Sequence, residues 1–546
     1  MFYNFRPIVL LCCGLYAAVI FGMAGACSPE HYKADADKEV YNIIDNKWQD
    51  SFGQKANYTI SDVPPAPNDI RIEKAIPPSG ALNLAQAVAT ATARNRDYQK
   101  QKEDLYLAAL DLTLERHNFA RRWFGTIDAE YTKYTDQSGD NDEEMVAISE
   151  QGTGVGFSQL LADGAIVSAN IAIDWVRFLT GDPRTSLGSV LSASITQPLL
   201  RGAGRKIAQE NLTQAERNAL YQIRSFNRFR EEFVVDVVTV YYGVLQRRDA
   251  VTNAENDYKR RIETKEMLEM KADAGRINRF QADQAEQDVL RARDSYVRAQ
   301  LRYEQLLDEF KLRLALPTDA NIELDQNELK ALEKIGIDEP NYTADAAIET
   351  ALVQRLDLAN SMDKIDDAAR KIIVAADALR AGLDITAGLN VDSTEKTDFD
   401  RLRFHEGTYT LGLSGDLPLD RKAQRNTYRE ALISLEQSQR QYDNDRDKVK
   451  LEVRDAYRKL REAAERYRIQ KNSLQLAEKR VESTALLLEA GRAITRDWLE
   501  AQDALVEAQN NLTDALIAHA IAKLSFFRDV GILQVKPDGM WVQQAG

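Results

Sequence analysis

The sequence predicts a mainly α-helical chain with a membrane β-barrel part, arranged as two tandem repeats of short helix, strands, long helix and returning helix. Three observations carry that prediction. Proline is absent from 199–316 and again from 419–536, two runs of 118 residues each. A heptad register in the second run recurs without a slip 216 residues earlier. Short segments of alternating apolar and polar residues precede each run.

At the N-terminus, the apolar run from Pro7 to Gly22 and the small residues Ala24-Gly25-Ala26 have signal-peptide architecture, which assigns 1–26 to a signal. Ala24-Gly25-Ala26-Cys27 resembles a bacterial lipobox, in which cleavage before the Cys leaves its thiol carrying a diacylglycerol, although Ala24 stands where that pattern prefers Leu. The resemblance implies lipidation of Cys27, and Ser28 after it implies sorting to the outer membrane. An ordinary signal peptide or a retained anchor helix are the alternatives. Residues 27–79 carry Pro29, Pro64, Pro65, Pro67, Pro77 and Pro78, which disfavour helix, so this stretch is expected to be an extended, lipid-anchored tether.

The first repeat is assigned to 80–316 and the second to 342–533, with a linker at 317–341 and a tail at 534–546. Val449, Val453, Ala456, Leu460, Ala463, Tyr467, Gln470 and Leu474 alternate spacings of four and three, the pattern of a coiled-coil seam. The positions 216 earlier are Phe233, Val237, Val240, Val244, Arg247, Val251, Ala254 and Tyr258, again apolar but for one. Asp273-Ala274-Gly275-Arg276 and Glu489-Ala490-Gly491-Arg492 obey the same offset. Glycine there signals a helix C-terminus, so 199–316 folds into a hairpin with its turn at 275, and 419–533 into one with its turn at 491. An arm of about 70 residues reaches ~100 Å, too long for one globular core to hide. Its seam must pack against other long helices.

Upstream, helical stretches at 82–120 and 343–381 also correspond. Ala87, Val88, Ala91 and Asp97 match Ala347, Ile348, Ala351 and Asp357 at an offset of 260. Pro198 and Pro418 are only 220 apart, so the first repeat holds about 40 extra residues in its β region. Candidate strands there are 125–134, 153–159, 165–175 and 189–197, with 383–391 and 408–417 in the second repeat. Alternation shows in Ile171, Ile173 and Trp175, in Leu191, Ala193 and Ile195, and in Tyr409, Leu411 and Leu413. Asp163-Gly164 reads as a hairpin turn. Four to six such strands cannot close a barrel, and a lipid-exposed sheet edge is forbidden, so the barrel must be shared between chains. Trp123, Phe124, Tyr131, Tyr134 and Trp175 are candidates for an interfacial aromatic girdle.

Composition excludes other classes. With 85 Asp plus Glu against 71 Lys plus Arg and a net charge of -14, no basic face for nucleic acid is expected. His31, His117, His405 and His519 are scattered, without metal-ligand spacing, and His117 has no nucleophile motif beside it. No cofactor motif appears, and the chain is not expected to be an enzyme.

Taken in order, Gln197-Pro198-Leu199-Leu200-Arg201-Gly202, its counterpart Leu417-Pro418-Leu419, the two Ala-Gly-Arg turns and Leu314-Ala315-Leu316-Pro317 resemble the TolC family of outer-membrane efflux proteins, over nearly all of 82–533. The resemblance implies a homotrimer with a β-barrel in the outer membrane of a Gram-negative-type bacterium, a periplasmic α-barrel, and an equatorial belt that takes in 318–341 and the residues after Gly531. It further implies an exit duct of a tripartite efflux pump or type I secretion system. The partners are then a periplasmic adaptor and an inner-membrane pump of RND, ABC or MFS type.

By the same resemblance, Asp497 and Glu500 project into the lumen at the periplasmic tip, where threefold symmetry makes two acidic rings that favour cations. Taken alone, acids in a first helical turn complement the helix dipole. The turns Gly275-Arg276 and Gly491-Arg492 correspond to the family's adaptor-docking turns, and also read as ordinary helix C-caps. Gln281 stands where the family often has Asp, and Ala493 where some members have Arg. A periplasmic coiled-coil adaptor or envelope structural protein is the alternative, but it leaves the strands between helices unexplained.

Overall fold

A computed structural model describes residues 28–60, 81–126, 129–134, 143–148, 154–178, 185–337, 343–394 and 398–542. The signal segment with Cys27, the proline-rich 61–80 and the residues after 542 lie outside the described residues. Two compact units emerge, one of Met1–Lys47, Tyr106–Gln222 and Asp363–Arg440, the other of Trp48–Leu105, Ile223–Met362 and Gln441–Gly546.

The helical expectations hold closely. After a one-turn helix α4 (Arg205–Ala208), the first hairpin is α5 (Glu210–Asp273) and α6 (Arg279–Arg313), and the second is α10 (Lys422–Glu489) and α11 (Thr495–Val530). The seam is real. Val449, Val453, Ala456, Leu460, Ala463 and Tyr467 are buried, as are Phe233, Val237 and Val244, while Arg247, the polar break in the first repeat, is exposed. Val449, Val453, Ala456 and Leu460 share a core cluster with Ala347, Ile348 and Ala351 of α8 (Ala344–Gln354) and Phe526 and Val530 of α11. No helix among the described residues is long and apolar enough to cross a membrane.

Each upstream stretch is two helices rather than one. The first breaks at Asn95 between α2 (Leu84–Arg94) and α3 (Arg96–Phe119), the second at Arg355 between α8 and α9 (Leu356–Asp377). The breaks are 260 apart, so the kink itself is duplicated. Asn95 Oδ1 accepts from the backbone N–H of Asp97 (2.9 Å) and Tyr98 (3.1 Å), capping α3. Its Nδ2 donates to the carbonyl of Arg313 at 3.0 Å. Arg355 instead donates through Nε to Asp357 at 3.0 Å and reaches Glu452 of α10.

The tether differs from expectation. Residues Pro29–Lys47 form helix α1, with Val40, Ile43 and Ile44 buried and Asp37 accepting a 2.8 Å hydrogen bond from Tyr106 of α3. Pro29 sits at the first helical position, where a missing N–H costs nothing, so that proline starts a helix rather than forbidding one.

The linker carries β8 (Glu323–Leu324), paired in parallel with β1 (Ala81–Leu82), and α7 (Asn327–Ile335). Arg230, buried in α5, donates to the carbonyls of Val535 (3.0 Å) and Lys536 (3.2 Å), tying the C-terminal segment to the long arm.

The sheet runs β2 (Arg122–Thr126), β3 (Ala129–Tyr134), β4 (Glu143–Ile148), β5 (Gly154–Leu160), β6 (Ile166–Phe178), β7 (Thr185–Pro198), then β9 (Gly382–Thr394), β10 (Asp398–Leu402) and β11 (Thr408–Asp416). Of these, β4 and β10 were not expected, because Glu143-Glu144 and Asp398-Phe399-Asp400-Arg401 break the apolar alternation. Every neighbouring pair is antiparallel. β5 and β4 line the near and far halves of β6, and β11 and β10 likewise line β9. The described strands thus form six staves in sequence order: β2/β3, β4/β5, β6, β7, β9 and β10/β11.

Candidate functional site: the two-faced sheet and the helical tips

A strand sends alternate side chains to opposite faces, so register decides what each face of the sheet presents. One unbroken row crosses all six staves: Trp123, Phe157, Ala169, Ala193, Leu389 and Tyr409. The flanking rows on that face hold Val155, Ile171, Leu191 and the buried Val391 on one side and Gln159, Val167, Ile195, Ala387 and Leu411 on the other. The opposite face carries Ser158, Ser168, Ser194, Gly388 and Thr410, with Asn170, Ser192 and Asn390 beside them. These polar groups bond across strands, Ser168 to Ser194 at 2.8 Å and Ser192 to Asn390 at 2.9 Å. The apolar face is solvent-exposed in the single chain, Leu411 by 78% and Val155 by 63%. An uncharged apolar face backed by a hydroxyl-lined one is what lipid on one side and water on the other require.

Trp123 and Phe124 occupy adjacent positions and so opposite faces. Trp123 packs on Phe157 with ring centroids 5.3 Å apart, while the Phe124 ring lies over Gly156. Only the first of them fits a lipid-facing girdle. The side chains of Tyr131, Tyr134 and Trp175 lie outside the described residues.

The junction motif proves to be where the repeats join. Leu199 N–H donates to the Leu383 carbonyl at 2.7 Å, continuing the β7–β9 ladder, and Arg201 pairs with Asp416 at 2.6 Å. Gly202 N–H donates to Asp377 at 2.7 Å.

At the tips both turns have the same geometry. Gly275 and Gly491 adopt φ of +70° and +68°, and the following Arg276 and Arg492 donate backbone N–H to Lys271 (2.9 Å) and Leu487 (2.8 Å). Those are helix C-caps that favour glycine. Open space surrounds the position of a missing Cβ at each. The two hairpin tips of one chain touch where buried Thr495 donates to Gln281 at 3.4 Å. Asp497 accepts from the Ile494 backbone N–H at 3.3 Å, capping α11, and Glu500 pairs with Arg496 at 2.9 Å on the exposed surface. The cap thus fits the dipole role for Asp497, and both carboxylates lie on one exposed helical turn.

A cluster above the tip escaped sequence reading. Arg261 of α5, only 4% exposed at its side chain, donates to Asp257 at 2.8 Å and contacts Asp503 of α11. Burial pushes the neighbouring Asp288 carboxyl up, against the pull of Arg291 and Arg261. The i,i+4 spacing of Asp257 and Arg261 was visible; Asp503 lies 242 residues further on. Among the described residues, no group of three or more His, Cys, Asp or Glu side chains is placed to hold a metal.

Tandem helical hairpins and a sheet with one apolar face define the class: the fold of outer-membrane channels. Residues 347–526 match the family model described as outer membrane efflux protein. Over those residues the match agrees with the TolC-family resemblance read from the sequence. No curated protein matches the sequence. Among solved structures it is similar to the Campylobacter jejuni CmeC outer membrane channel, at 14% identity and TM-score 0.58, over 91% of this chain and 93% of that one. The Vibrio cholerae outer membrane protein VceC matches at 13% identity and TM-score 0.57, over 82% and 96%. The Neisseria gonorrhoeae MtrE outer membrane channel, captured in an open state, matches at 14% and TM-score 0.58, over 84% and 90%.

Proposed function

We propose that this protein is the outer-membrane exit duct of a tripartite efflux pump or type I secretion system, a passive conduit rather than an enzyme. The carrying observation is the two-faced sheet set into duplicated long hairpins, together with the family match. One chain supplies staves and cannot close a tube, so the working form is a homotrimer. Exposed apolar residues on α6, Leu290, Val297 and Leu301, recur at spacings of seven and four, a seam that a neighbouring helix would cover. The periplasmic adaptor docks at Gly275-Arg276 and Gly491-Arg492, and an inner-membrane pump of RND, ABC or MFS type supplies the energy. Cys27 carries the lipid anchor.

Asp497 and Glu500, tripled, ring the periplasmic aperture and favour cations. Heat-modifiable trimer migration and outer-membrane fractionation test the duct itself; a soluble periplasmic monomer would sink it. Conductance in planar bilayers tests the aperture. We expect a small cation-selective channel that loses its preference in the double variant Asp497→Ala, Glu500→Ala, and unchanged selectivity would remove the acidic rings from the account.

A further inference from the structure

The 40 extra residues of the first repeat have a structural consequence. We infer that the β5–β6 hairpin is part of the membrane wall, and that the β2/β3 edge of one copy pairs with the β10/β11 edge of the next, closing a ring of eighteen staves. This rests on the trimeric duct reading; what it adds is the wall's composition and the surface through which copies join.

Four observations carry it. The hairpin is in register with the rest of the sheet: Phe157 and Ala169 continue the row of Ala193, Leu389 and Tyr409, and Ser158 and Ser168 continue the polar row of Ser194 and Thr410. A flap folded outside the wall would have no reason to keep both faces aligned with it. Its turn is also pinned to the strand-to-helix junction. Gly204 N–H donates to the Asp163 carbonyl at 2.9 Å, and Gly164, at φ +95°, passes so close that an added Cβ would lie 2.6 Å from the Gly202 oxygen. The hairpin therefore starts at the level where β7 hands over to helix.

The edges complete the argument. Among the described residues, β2 pairs only with β5 and β11 only with β9, which leaves one ladder open on each flank of a sheet whose outer face is apolar. Lipid does not tolerate open edges. Six alternating staves put the two end strands in opposite directions, so copies joined in one rotational sense pair antiparallel at every joint, as a closed barrel needs. Eighteen staves at ~4.8 Å spacing and about 40° tilt make a ring roughly 35 Å across, against roughly 24 Å for twelve. The outer mouth is then about half as wide again as four staves per chain would give.

Single cysteines carrying a bimane label, in full-length trimer reconstituted with brominated lipid, test the hairpin. Val155→Cys, Phe157→Cys and Ile171→Cys are expected to be quenched at least about twofold more than Ser158→Cys, Ser168→Cys and Asn170→Cys. Ile195→Cys and Leu411→Cys against Ser194→Cys and Thr410→Cys report the rest of the wall, using only variants that still show heat-modifiable trimers. Alternation in the latter set with none in the hairpin overturns this inference and leaves the duct intact; alternation in neither overturns the duct. For the joint, Trp123→Cys is combined in turn with Tyr409→Cys, Leu411→Cys and Leu413→Cys. At least one pair should give a disulfide-linked dimer between copies on non-reducing gels. No link in any of the three overturns the proposed edge.

Discussion

The two repeats keep the same helical register and differ in their sheets. The seam residues of α10 have counterparts 216 positions earlier in α5, yet among the described strands the first repeat contributes four staves and the second two. The difference shows which part of the design is rigid to change. A helical seam fixes every residue in phase, since one inserted residue turns all that follows by about 100°. An antiparallel sheet grows by whole hairpins without disturbing which way its other side chains face. Duplication therefore preserved the helices residue by residue and let the wall expand.

Matched insertions are the strongest way to break that comparison. One Ala inserted after Leu460 rotates the lower half of the α10 seam out of phase with the upper half and takes Tyr467 off Ala515 and Leu516, and the trimer band should vanish from unboiled gels of the membrane fraction. One Gly inserted after Ser138, between β3 and β4 in sequence, should leave that band intact. A smaller effect is expected at the duplicated kink. Arg355→Ala strands Asp357 and Glu452 without their shared, mostly buried cation and should cost about 2 kcal/mol, the carboxylates' exposure limiting the loss. At the matching position, Asn95→Ala removes a helix cap and should cost about 1 kcal/mol. Thermal unfolding of the two purified variants checks the order, and equal losses would mean that the kink, rather than its partners, carries the energy.

The helices were legible because a period of three and four leaves a mark at every turn, from Val449 to Leu474. The wall was legible in part. Ile171, Leu191 and Leu411 alternate visibly, but nothing local says that β4 pairs with β6 or that β7 pairs with β9 across 190 residues. Pairing of distant strands is decided by what the edges meet, which a sequence window does not contain. Pro29 misled for the opposite reason, since the same residue disfavours a helix interior and opens a helix at its first position. At the tip, Asp497 and Glu500 could be located, but the capping of Ile494 and the pairing with Arg496 are three-dimensional facts. Arg261 was missed because its second acid comes from the other repeat.

The finest contrast is between two acids at the same place in the register, Glu231 and Asp447. Burial in α5 raises the Glu231 carboxyl from 4.5 to about 7, with Arg228 at 3.2 Å pulling down, helped by Arg230, and Glu232 pushing further up. Asp447 lies on the exposed face of α10, its carboxyl held below the usual range by Lys450 at 3.0 Å. A raised acid binds its proton more tightly in the folded state, so Glu231 favours folding while protonated in the native state, and that contribution fades as pH rises from about 4.5 to about 7. Between pH 5 and pH 8 the wild type should lose about 1–2 °C in Tm through this group, a small shift because the chain is long. Glu231→Gln, neutral throughout, should remove that loss, whereas Asp447→Asn should leave the pH profile unchanged, because Asp447 is already ionised across the window. A scanning measurement at the two pH values decides it: a profile in Glu231→Gln as steep as the wild type's would mean that this acid is solvated in the trimer, and that the two repeats treat matched acids alike.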